Sequence, residues 1–161
     1  MRIGVFGDTH NNVRNVARIV ELLNGAGVDR VVHTGDITQA KVLDELASLA
    51  CPVQGVYGNN DLERESLERA AEAHGMHFVD PPFEFTWEER RVVVVHDPRD
   101  LETEMRGAYT LALHGHTHRH RETRRHGSLV FNPGECAGMM TGYNAIGVVD
   151  LRDLSCELLR F

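Results

Sequence analysis

Arg2-Ile3-Gly4-Val5-Phe6-Gly7-Asp8-Thr9-His10 opens with an apolar run that stops at a glycine and an acid. The run has strand length, and the stretch after it, Asn12 to Asn24, puts Val13, Val16, Ala17, Val20 and Leu23 at helical spacing before Gly25. The pattern predicts a strand followed by an amphipathic helix, and the unit recurs twice. Arg30 to His33 leads through Gly35-Asp36 to a helix carrying Val42, Leu43, Leu46 and Leu49, closed by Cys51-Pro52. Val53 to Tyr57 then leads through Gly58-Asn59 to a helix carrying Leu67, Ala70, Ala71 and His74. Asp8 and Asp36 lie 28 positions apart, close to the roughly 30 residues of one strand-helix-strand unit. Each polar cluster therefore falls where a parallel strand ends.

From about Met76 onward the pattern changes. Phe83 to Trp87, Arg91 to Val95, Tyr109 to Leu113, Ser128 to Phe131, Ala145 to Asp150 and Ser155 to Phe161 all read as extended, with Asp100 to Arg106 as a short helix. A first half of strand-helix units and a second half of strands predicts an α/β sandwich, two packed sheets flanked by helices in four α/β/β/α layers. In such folds ligands gather beyond the carboxyl ends of the strands, where the polar clusters sit.

Composition bounds the rest. A chain of 161 residues, 42% of them hydrophobic, suits one domain over 1–161 and is short for two. Cys51, Cys136 and Cys156 are odd in number and match no zinc-ribbon spacing, as expected of a reducing compartment. The N-terminus runs straight into a strand with no apolar leader and no later segment could span a membrane, so the expected location is cytoplasmic and no membrane partner is expected. A net charge of −7 argues against nucleic acid as a stable partner. The Arg119 to Arg125 stretch is the local exception, read either as a grip on an extended phosphodiester or as a solvated strand-turn-strand whose alternation splits its charges between two faces. The strand-rich second half offers an edge or flat face for a homodimer.

The polar clusters are Asp8-Thr9-His10, Gly35-Asp36, Gly58-Asn59, His96 and Gly115-His116-Thr117-His118. Together they supply two carboxylates, one amide and four imidazoles, a donor set for two adjacent divalent cations. Mixed oxygen and nitrogen donors suit manganese, with nickel, iron or zinc as alternatives, better than calcium. Taken singly, Asp8, Asp36 and Asn59 also read as helix caps. Their co-occurrence with paired histidines favours metal binding.

In this order the clusters resemble the calcineurin-like metallophosphoesterases, and Asn132-Pro133-Gly134-Glu135-Cys136 looks like their small, cap-free prokaryotic phosphodiesterase branch. The match runs from Arg2 to about Asp150. The resemblance implies one metal on Asp8, His10 and His118, a second on Asn59, His96 and His116, and Asp36 bridging them. It further implies hydrolysis of a small phosphodiester or nucleotide-like substrate by a metal-bridging hydroxide, the pair of cations leaving the pocket net positive. A phosphomonoesterase and a non-catalytic scaffold, like the retromer subunit that resembles these enzymes, are the alternatives. A scaffold has no reason to keep all seven donors.

Two positions depart from the family pattern. Asn60 stands where many members have a histidine that protonates the leaving oxygen, and an amide has no usable pKa for that role. Asn60 is therefore read as donating a hydrogen bond to a phosphate oxygen. Asp97 replaces a more usual glycine after His96, and either crowds the site or adds a contact behind it. His116 and His118 share one face if their backbone is extended, as do Asp8 and His10. His33, His114 and His120 read as packing or supporting residues, Asp61 as an orienter of Asn60 or a cap, and Glu135 and Cys136 as structural.

Overall fold

The computed structural model describes residues 1–101, 109–125 and 127–161, with the backbone alone at 125. The first strand, β1 (Arg2–Phe6), pairs in parallel with β2 (Arg30–His33), which pairs in parallel with β3 (Val53–Val56), and β3 with the short β4 (His77–Val79). On the other side of β1 run β10 (Ala145–Asp150) and β11 (Ser155–Arg160), both antiparallel to their neighbours. The second sheet contains β5 (Phe83–Trp87), β6 (Arg90–Val94), β7 (Leu111–Leu113), β9 (Ser128–Asn132) and β8 (Arg121–Arg125) in that order. Its three central strands, β6, β7 and β9, are mutually parallel.

Alternation along the strands builds both cores. In β1, Ile3 and Val5 face the second sheet while Phe6 faces the helices. In β6, Val92 and Val94 fill the space between the sheets with Val32, Val56, Leu111, Leu113, Leu129 and Phe131, whereas Val93 and Val95 line the outer face under Leu101 and Tyr109. The helices α1 (Val13–Ala26), α2 (Ala40–Leu46) and α3 (Arg64–Ala73) cover the outer face of the first sheet through Val16, Ile19, Leu23, Leu43, Leu46 and Leu67. Gly4 lets α1 approach closely, since a Cβ there would stand 2.6 Å from the Leu23 side chain and oblige it to shift.

The fold is the expected α/β sandwich, two mixed sheets flanked by helices. Its element ends differ in detail. The first helix passes through Gly25 and stops at Gly27, which adopts a left-handed conformation and bonds back to Leu23 and Asn24; a glycine on an exposed helical face need not end a helix, and the αL position decides. Leu49 lies beyond the end of α2, and His74 caps α3 instead of belonging to it. The strand β4 has no counterpart in the sequence reading because it lies at a sheet edge with little apolar alternation, whereas β8 agrees with the strand-turn-strand reading of Arg119 to Arg125. The expected helix over Asp100 to Arg106 falls mostly outside the described residues, and what precedes it is a 3-10 turn at Pro98–Asp100.

The consequence for function is geometric. The parallel strands of both sheets, β1, β2 and β3 in one and β6, β7 and β9 in the other, bring their carboxyl ends to one end of the molecule. Leu113, fully buried between the sheets at the end of β7, anchors the segment that carries His116 and His118. Leu113→Ala should cost about 2–5 kcal/mol by leaving a cavity there. Urea unfolding would show it as a lower midpoint at unchanged slope, and an unchanged midpoint would place the anchor elsewhere.

Candidate metal centre

Every donor of the polar clusters reaches this one end. The ligand atoms of Asp8, His10, Asp36 and His118 all lie within 4.8 Å of one another, a group able to hold a metal ion. Beside them stands a second group: the His96 Nε2 atom is 3.0 Å from Asn59 Oδ1 and 3.2 Å from His116 Nδ1, and that His116 atom is 3.0 Å from Asn59 Oδ1. Asp36 belongs to both groups, with Oδ2 3.4 Å from His10 Nε2 and Oδ1 3.4 Å from His96 Nε2. Asp8, Asp36, His96 and His118 are buried, while Asn59 and Asn60 are exposed and His10 and His116 half-buried at the mouth.

The paired donors do not converge by strand alternation. Asp8, His10, Asp36, His116 and His118 all have positive φ, between 39° and 68°, so the loops turn the side chains inward instead of the pleat of an extended strand. Left-handed backbone at non-glycine residues is unfavourable and persists where the surroundings overdetermine it. Here the surroundings are hydrogen bonds. The carboxylate of Asp61, buried, accepts from the backbone N–H groups of Asp36 (3.1 Å), Thr38 (2.6 Å) and Gly58 (2.6 Å), tying the loop after β2 to the loop after β3. Asp61 thus neither orients Asn60 nor caps α3. At Gly58 a Cβ would meet Asp36 Oδ1 at 2.2 Å, so this close approach admits only glycine.

Supporting residues set the imidazoles. His96 Nδ1 donates to the Thr34 carbonyl at 2.9 Å, which leaves Nε2 as the lone pair facing the site. His118 Nδ1 donates to Glu135 Oε2 at 2.6 Å, and its Nε2 faces His10 Nε2 at 3.2 Å. Glu135 is fully buried and also accepts from the N–H groups of Met139, Met140 and Thr141. Its role is therefore larger than the structural one read from sequence: it orients a candidate ligand and builds the neighbouring loop. No local motif signals this, because the partners become neighbours only in the fold. Asp97 is held by Arg99 and has Oδ2 3.6 Å from His116 Nε2, so it lies behind that ring without crowding the centre.

The remaining expectations sort clearly. Asn60 donates from its side-chain Nδ2 to Asp36 Oδ2 at 2.8 Å and from its backbone to Asp36 Oδ1 at 2.9 Å. His33 is buried, accepts from the Gly35 N–H at 3.1 Å, and burial drops its pKa to about 3. His114 packs behind the loop with Nδ1 against the Gly115 carbonyl. In the basic stretch, Arg119, His120 and Arg121 line a cavity with His114, while Arg124 turns away to Glu122 and the Leu154 carbonyl. Cys136 is buried and points to the Ala145 carbonyl; burial pushes its thiol well above the ordinary range.

The electrostatics suit a cation. Burial raises Asp8 to about 6, and burial lowers His10 against the opposing pull of Asp36. Although burial disfavours its charge, Asp36 is held below the ordinary carboxylate range by His96 and the two Asn60 bonds. Burial disfavours the charged form of His96, yet its contacts with Asp36, the Thr34 carbonyl and Asp8 raise its pKa. With the proton of each neutral ring on Nδ1, His96 Nε2 would face Asn59 Oδ1, and His118 Nε2 the Asp8 carboxylate 3.7 Å away, as acceptor against acceptor. A divalent cation bound there would turn such contacts into coordination.

Comparison with known proteins agrees with this geometry. Residues 1–154 match the calcineurin-like phosphoesterase superfamily domain. Phosphodiesterase MJ0936 of Methanocaldococcus jannaschii is 32% identical over 154 residues, 93% of each chain. Among solved structures, a novel archaeal phosphodiesterase superposes with TM-score 0.92 at 30% identity, each chain covered in full. YfcE, a phosphoesterase from E. coli, gives 0.74 at 22% identity over 99% of this chain and 98% of its own, and Vps29 from Entamoeba histolytica 0.73 at 19% over 100% and 99%.

Partners that orient metal-binding histidines typically contribute tenfold to a hundredfold in affinity. Glu135→Gln should accordingly weaken manganese binding by about 10–100-fold in calorimetric titration. Affinity equal to that of the unaltered protein would show that His118 needs no such support.

Proposed function

The chain belongs to the calcineurin-like phosphoesterase superfamily, and on that premise we propose that it is a phosphodiesterase whose centre holds two divalent cations, manganese foremost. The observation that carries the reading is the position of Asp36, one carboxylate oxygen turned to each donor group. Asp8, His10 and His118 with one oxygen of Asp36 would hold one cation, and Asn59, His96 and His116 with the other oxygen a second. Nitrogen and oxygen donors without thiolate suit manganese, iron, nickel or zinc. When bound, such cations bring the pKa of coordinated water toward neutrality and supply positive charge to a phosphoryl group.

The chain's own residues do the rest. The two bonds from Asn60 favour the deprotonated form of Asp36, the form able to coordinate a cation. The Thr34 carbonyl and Glu135 fix ring tautomers so that lone pairs face inward. Asn60 is exposed at the mouth, and its amide nitrogen carries a second hydrogen beyond the one given to Asp36. That hydrogen is aimed at a non-bridging oxygen of the substrate, which makes Asn60 a catalytic residue that binds charge instead of transferring a proton. Cys136, buried and protonated, offers no nucleophile, consistent with direct attack by water.

A diester is favoured over a monoester. Among the described residues, position 60 carries an amide and not an acid that could protonate an unactivated leaving oxygen, and the relative with 32% identity is a phosphodiesterase. Retention of all seven donors in one cluster favours catalysis over scaffolding, although Vps29 shares the fold. No helix among the described residues is long and apolar enough to cross a membrane.

The test is hydrolysis of bis(p-nitrophenyl) phosphate and p-nitrophenyl phosphate in manganese, nickel, zinc and magnesium. The diester should be cleaved faster, and manganese should support the highest rate. Asp36→Asn should abolish turnover while circular dichroism stays unchanged. Retained activity in that variant would remove Asp36 from its bridging role, and a faster monoester reaction would reverse the substrate assignment.

A further inference from the structure

A cleft of about 240 Å³ is lined by His118 of the donor cluster together with Pro133, Gly134, Thr141, Tyr143 and Arg160. Its volume falls under the about 300–1,000 Å³ of sites for drug-sized ligands, so it accommodates one ring and not a long chain. His118 belongs both to the donor cluster and to this cleft, so the cleft adjoins the place where a diester would be held.

The two ends of the cleft differ chemically. Tyr143 is 69% exposed, a large aromatic face left in water beside a polar site, which loses that contact if a second ring stacks on it. Arg160 reaches the Tyr143 ring, its guanidinium 6.0 Å from the centroid. Among the described residues no carboxylate pairs with Arg160 or with Arg14, and these two line an adjoining cavity together with Arg18, which is itself paired with Glu21. Unpaired arginines gathered in a protein of net charge −7 mark a place for an anion.

The wall is also built in advance. Glu135 accepts from the N–H groups of Met139, Met140 and Thr141, and the Thr141 hydroxyl accepts from the Tyr143 N–H at 3.2 Å. The carboxylate that orients His118 therefore also shapes the loop presenting Tyr143. Ligand binding at the cleft pays little for ordering that loop.

Resting on the phosphodiesterase reading, we infer that this cleft binds one arm of the substrate, and that the arm carries a planar ring followed by a second anionic group. A nucleotide ester bearing a further phosphate has that chemistry: reacting phosphoryl at the centre, base against Tyr143, second phosphate between Arg160 and Arg14. A diester of two simple alkyl alcohols fills neither end.

Three esters with one leaving group separate the contributions: methyl p-nitrophenyl phosphate, the p-nitrophenyl ester of thymidine 5′-phosphate, and the same ester carrying a 3′-phosphate. The ratio kcat/KM should rise along this series, with about tenfold for the added phosphate, the worth of one charge-assisted contact. Tyr143→Ala should flatten the first step and Arg160→Gln the second, each chiefly through KM, whereas Lys41→Gln, a remote charge change on α2, should leave the series intact. Equal kcat/KM across the series, or an equal loss on the methyl and phosphorylated esters in Arg160→Gln, overturns the inference while leaving the hydrolase reading standing. If no ester turns over, the hydrolase reading fails by itself, and calorimetry with thymidine 3′,5′-bisphosphate decides the cleft: binding lost in Arg160→Gln upholds it, and binding equal in both proteins overturns it.

Discussion

Two buried carboxylates share one end of this molecule, and the rest of the structure is arranged around the cost of keeping them there. Asp8 and Asp36 are 0% and 1% exposed, with ligand atoms inside the same 4.8 Å group. Like charges withdrawn from water at that separation are strongly unfavourable. The chain answers differently at each. Asp36 is stabilised as an anion by the backbone and side chain of Asn60 and by His96, whereas Asp8 receives one backbone N–H, that of His116, and has its pKa raised by burial. The cluster is thus only partly compensated by protein groups, which is the setting a divalent cation would complete.

Rigidity follows from the same requirement. Five donors sit on left-handed backbone, and the loops that carry them are held by carboxylates whose own acceptors are filled with N–H groups. Asp61 joins the loops after β2 and β3; Glu135 joins the loop after β7 to the loop after β9. Between them these two acids span both sheets. Through Glu135, the loop that presents Thr141 and the His118 ring share one buried carboxylate.

Much of the architecture was legible in local pattern. The runs at Arg2, Arg30 and Val53, each ending in glycine with an acid or amide, announced parallel strands with helices between them, since period and punctuation are local properties. The candidate ligands were legible for a related reason: Asp8-x-His10 and His116-x-His118 are short motifs whose donor types report their chemistry. Edge strand β4 was not, because pairing through backbone needs no apolar alternation. The extended geometry expected at the paired donors was also replaced by tight turns, as side-chain spacing alone does not distinguish a strand from a turn.

By itself, then, the sequence determined the alternation of elements, the donor inventory and the position of each donor at a strand end, all of which depend on neighbours within a few residues. The tertiary structure alone decided that Asp36 turns one oxygen to each donor group, that Asp61 and Glu135 brace loops remote from them in sequence, and that Arg160 reaches the ring of Tyr143 near the centre. Those contacts join residues up to more than a hundred positions apart, as His10 and His118 show. They arise from the packing of two sheets, a long-range free-energy balance that no window of sequence contains.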